Sequence, residues 1–122
     1  MEIKAVQLVG QRLDMTRADG VYNYTVKAEW RLLGTVFDRQ VPLPEEDIAL
    51  LRLRFEWEPC SRLDLTYPED ATGGSPSISA VGMAAMQWLG AEYAARAAAW
   101  IGKEPTTELV VVTPPAAEEV TP

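Results

Sequence analysis

Tyr22-Asn23-Tyr24-Thr25-Val26-Lys27-Ala28-Glu29-Trp30-Arg31-Leu32 alternates without a break, every even position apolar and every odd position polar or charged. A period of two over that length marks a β-strand with one buried face and one wet face, because successive side chains leave opposite sides of the pleat. The alternation returns where Leu51, Leu53, Phe55 and Trp57 interleave with Arg52, Arg54, Glu56 and Glu58, and again from Arg62 to Tyr67. Strands of this kind belong to an antiparallel sheet that keeps one face in water.

Working outward, Asp19-Gly20 is a favoured turn pair between a first, less cleanly alternating strand over Met1 to Leu13 and the long strand Val21 to Leu33. After the strand, Gly34 permits a reversal and Thr35 to Val41 can return alongside, until Pro42 and Pro44 remove ladder donors. Pro44-Glu45-Glu46-Asp47 has the makings of a helix start, with acids suited to the positive end of the dipole. The alternation that follows predicts only a helical turn over 45–49, then a strand from Leu50 to Glu58 paired through Pro59-Cys60-Ser61 with Arg62 to Tyr67. Pro68 to Pro76 reads as a loop, and Ser75 or Ser77 can cap a long helix over Ser77 to Ile101, stopped by Gly102 and Pro105. Glu108 to Thr113 reads as a short β-branched strand, and residues 114–122 have the composition of a disordered acidic tail. The expected fold is α+β, an antiparallel sheet of five or six strands with one long C-terminal helix packed on its apolar face, all within a single domain spanning 1–113.

The chain has 122 residues, enough for one core without metals or disulfides as staples. Its net charge of −7 argues against direct nucleic-acid binding, which needs a basic footprint. Residues 45–70 carry three basic and eight acidic groups, so a basic protein partner, or imitation of DNA, suits this composition better. The lone Cys60 has no internal disulfide partner, and Met1-Glu2-Ile3-Lys4 runs directly into strand-like sequence; the expectation is a cytoplasmic protein. The stretch Ser77 to Ile101 is long, but its alanines and glycines, with Gln87, Glu92 and Arg96 among them, are too weakly apolar for a membrane span.

On a helix of ordinary pitch, Ile78, Gly82, Met86, Leu89, Tyr93, Ala97 and Trp100 form one stripe, the expected core face. The opposite side carries Ala84, Trp88, Ala91, Ala95 and Ala98 where a solvent-facing helix would show Lys and Glu, and Glu92 with Arg96 makes its one charged pair. A helix apolar nearly all round is usually covered nearly all round, and Trp88 exposed without a partner would be unfavourable. The expected cover is a second copy of the chain, a homodimer with helix packed on helix.

Chemical equipment is sparse. There is no histidine, which removes the best proton carrier near neutral pH and the commonest nitrogen ligand for metals. Cys60 has no neighbouring base, Glu45-Glu46-Asp47 and Glu69-Asp70 point consecutive carboxylates in different directions, and Thr72-Gly73-Gly74-Ser75 lacks the lysine of a phosphate loop. No catalytic, cofactor or metal residue is assigned. The aromatics Tyr22, Tyr24, Trp30, Phe55 and Trp57 read as core, and Arg52, Arg54, Glu56 and Glu58 as an exposed mixed-charge strip that could meet a protein partner. The expected function is a non-enzymatic protein-interaction module, an adaptor, inhibitor or assembly subunit of the kind found among phage and mobile-element accessory proteins, acting by surface contact. The alternative is a small-molecule binder with a helix–sheet cleft lined by Trp88, Trp100 or Tyr67 and edged by Arg96.

Overall fold

The computed structural model describes residues 1–105. Strand β1 (Ala5–Ala18) is followed by β2 (Val21–Val36), β3 (Arg39–Pro42), helix α1 (Glu45–Phe55), β4 (Cys60–Pro68) and helix α2 (Ile78–Trp100). The architecture is α+β, and among the described residues the antiparallel sheet has four strands instead of five or six. The expected strand over 108–113 and the tail beyond it lie outside the described residues.

The alternating stretch over 22–32 is the centre of the sheet. β2 pairs with β1 along one edge; along the other it pairs with β4 over Val21 to Glu29 and with β3 over Leu33 to Val36. Tyr22, Tyr24, Val26, Ala28, Trp30 and Leu32 are all buried, while Asn23, Lys27, Glu29 and Arg31 are exposed, as the period requires. The β1–β2 turn has Asp19 and Gly20 both at positive φ, 56° and 75°, the backbone that matches strand twist. The next reversal falls at Phe37-Asp38 and not at Gly34, with both residues at positive φ.

β1 starts and ends later than expected, at Ala5 and Ala18, and so takes in the polar run from Asp14. Its irregular pattern has a cause: Leu8 faces Trp30 and Gly10 faces Glu29, so Val9 is a bulge. One extra residue switches parity, so that Val6 and Leu8 before it, and Gln11, Leu13 and Met15 after it, all lie on the apolar side.

The segment expected to form a strand at 50–58 is helix α1. A period of two and a period of 3.6 compete here, since Ile48, Leu51 and Phe55 also form a helical stripe; Leu51 is fully buried, Ile48 and Phe55 pack against the core, and Leu53 is 75% exposed. Three acids in the first turn and Arg52 and Arg54 in the last suit the dipole at both ends. Glu56, left-handed at φ 59°, ends the helix and turns Trp57 into the core. Arg52 and Arg54 are exposed as expected, but on a helix.

Ser77 caps α2 by accepting from the amides of Ser79 and Ala80. The helix runs along β2 over the sheet's apolar face, from Val81 among Tyr22 and Tyr24 to Trp88, Leu89 and Trp100 against the cluster of Ile3, Trp30, Leu51 and Trp57. Its buried stripe passes through Val81, Ala85, Trp88, Glu92 and Arg96 to Trp100, rotated from the expected line. Ile78 and Met86 stand 76% and 70% exposed. Alanine on most sides leaves the phase of such a helix undetermined by hydrophobicity, so the large residues of the sheet decide it.

Candidate interaction surface

Trp88 was expected on an outer face and instead packs half-buried against the core. Ala84 is half-buried, whereas Ala91, Ala95 and Ala98 are exposed on the flank of α2 away from Met86. The charged pair is also turned inward. Arg96 Nε lies 3.7 Å from Glu92, its Nη1 donates to the Glu58 carbonyl at 2.7 Å, and its guanidinium stands over the rings of Trp57 at 4.9 Å and Trp30 at 5.6 Å. Trp57 in turn meets Trp100 edge-on at 5.3 Å. Arg96 therefore fastens α2 to the chain leaving α1, stacking on aromatic faces as a guanidinium does well.

This arrangement divides the expected cleft. Trp88 and Trp100 belong to one packed cluster and Tyr67 to another, and Arg96 occupies the space between helix and sheet. A hollow of about 260 Å³ remains beside Arg96, bordered by Glu56, Glu58, Glu92 and Ala95. Glu56 and Glu58 are exposed at the exit of α1, so with Arg52 and Arg54 they form a mixed surface around a helix end.

The polar face of the sheet carries a pattern visible only once strands are aligned. Arg12, Lys27 and Arg62 lie directly opposite one another across β1, β2 and β4; the next row is Asp14, Thr25 and Asp64. Three cations side by side would repel, and the acidic row relieves them: Arg12 is 3.0 Å from Asp14, and Arg62 bonds Asp64, which also accepts from Thr25. The Thr25 bond first, then Arg62 and the charge of Lys27, hold the Asp64 carboxyl below its usual range. An open trough of about 490 Å³ lies over this face, bordered by Gly10, Lys27, Glu29, Arg62 and the exposed thiol of Cys60. The eight acids of 45–70 do not share a surface, being divided among the two ends of α1, this face and the loop at Asp70.

Part of the exposed apolar surface lies along β1 and α2. Leu13 and Met15 on β1 are 47% and 52% exposed, and Leu13 lines a groove of about 240 Å³ with Val26, Ala85, Met86 and Leu89 between β1 and α2. This strip runs beside the outer edge of β1, which has no strand partner among the described residues. Sequence reading missed Leu13 and Met15 because the bulge breaks the alternation that would have placed them. It also missed Phe37, 92% exposed at the hairpin tip.

Among the described residues no group of three Cys, Asp or Glu side chains is placed to hold a metal ion, and no helix is long and apolar enough to cross a membrane. Comparison with known proteins finds no matching family model, no matching curated protein and no matching solved structure.

Proposed function

We propose that this protein is a non-enzymatic interaction module that works by surface contact, through the outer edge of β1 and the apolar strip between β1 and α2. The observation that carries the reading is the coincidence of two features that proteins normally keep covered: a long strand edge without a partner among the described residues, and Leu13, Met15 and Met86 exposed beside it. Natural edge strands are usually shortened, covered or made charged on both faces, whereas this one spans fourteen residues and keeps an apolar face. The small-molecule alternative has less behind it, since Trp88, Trp100 and Arg96 consume the space between helix and sheet that such a ligand would need.

The test is site-specific photo-crosslinking in the native host, with the reactive side chain placed at Leu13 or Met86, and at Glu46 on α1 as a control. Protein adducts at the first two positions and none at the control are expected. No adduct at Leu13 or Met86, or equal labelling at all three positions, would contradict the reading.

A further inference from the structure

We propose that the outer edge of β1 pairs with the same edge of a second copy of this chain, antiparallel and with Leu13 on the two-fold axis; this rests on the surface-contact reading above and names its partner. The bulge at Val9 interrupts one end of the edge, and at the other Arg17 is tied to Glu69. Between them Gly10 to Thr16 is regular, and its middle residue is Leu13. A two-fold interface must be self-complementary, so whatever lies on one side of the axis has to suit what lies on the other.

Charge selects the register. With Leu13 on the axis, Arg12 faces Asp14 of the second copy and Asp14 faces its Arg12. The basic row of Arg62, Lys27 and Arg12 then continues into the acidic row of the other sheet, and the acidic row into its basic one. The neighbouring registers that keep both apolar faces on the same side centre on Arg12 or on Asp14, and each sets like charges directly opposite. Arg12 already bonds Asp14 of its own strand, but both are exposed, and a guanidinium has donors enough for two carboxylates.

The apolar side agrees with this choice. Leu13 meets Leu13 of the second copy, and Met15 of that copy falls beside Gln11, at the mouth of the groove that Leu13, Met86 and Leu89 line. The pairing satisfies edge amides that have no strand partner among the described residues and covers the exposed strip in one step.

The experiment is sedimentation equilibrium of the full chain at tens of micromolar, for wild type, Arg12→Asp, Asp14→Arg, the double exchange and Leu13→Lys, each checked for fold by circular dichroism. The wild type is expected to be a dimer; each single exchange should weaken association about tenfold and the double exchange should restore it. Leu13→Lys, at an exposed position, should give a folded monomer. A monomeric wild type overturns the inference, as does a dimer indifferent to Leu13→Lys and the single exchanges, or a folded double exchange that fails to recover. A monomeric wild type that still crosslinks another protein from Leu13 overturns the second-copy inference and leaves the surface-contact reading standing; absence of both overturns both.

Discussion

Leu53 and Trp57 are four residues apart in one alternating stretch, yet Leu53 is 75% exposed and Trp57 is 2% exposed. The strand reading makes them equivalent; the helix and its left-handed exit at Glu56 separate them. Trp57→Ala should cost about 3–5 kcal/mol in urea denaturation, through loss of its buried ring and its contacts with Trp100 and Arg96. Leu53→Ala should stay within about 0.5 kcal/mol. Comparable losses from both would contradict a helix at α1. Phe37 allows the opposite kind of change, since it holds a positive φ of 50° in a two-residue turn that Asn-Gly fits far better. Replacing Phe37-Asp38 by Asn-Gly should raise stability by roughly 0.5–1 kcal/mol in the same assay. A loss would show that the exposed ring is held by something in the folded chain.

At the scale of elements, β2 was legible because one period ran uninterrupted for eleven residues and both of its edges are paired. The length and cap of α2 were legible for a similar reason, in Ser77 at one end and Gly102 at the other. Its rotation was not, because alanine carries little phase information and the inward turn of Arg96 depends on Trp30 and Trp57, remote in sequence. α1 reads as a strand in the sequence because Leu51 and Phe55 satisfy both periods; in the fold, Pro44 with its three acids outweighs the alternation. The β1 strip was hidden by a single bulged residue. The loop before α2 makes a pH prediction: Asp70 accepts from the Thr72 hydroxyl and from the Gly74 and Thr72 amides, which hold its carboxyl below the ordinary range. A depressed carboxyl contributes stability above its unfolded value of about 3.9 and loses it as pH falls through the lower folded value. Asp70→Asn should therefore lower the melting temperature near neutral pH and flatten the acid limb of the profile. An unchanged acid limb would mean that the loop bonds do not bear on folding.

Across the whole molecule, burial and exposure follow a simple division. α1 and α2 cover the apolar face around Trp30, Leu32 and Trp57; the opposite face carries aligned rows of charge in which Arg12 pairs with Asp14 and Arg62 with Asp64; among the described residues, the outer edge of β1 has no strand partner. The most direct measurement is hydrogen–deuterium exchange of the full chain at two concentrations, one well below and one well above that at which it associates. The account predicts that amides of Gly10 to Thr16 slow at the higher concentration while those of Ala91 to Ala98 do not change. Unchanged exchange in β1, or protection confined to the Ala91 to Ala98 flank, would contradict it.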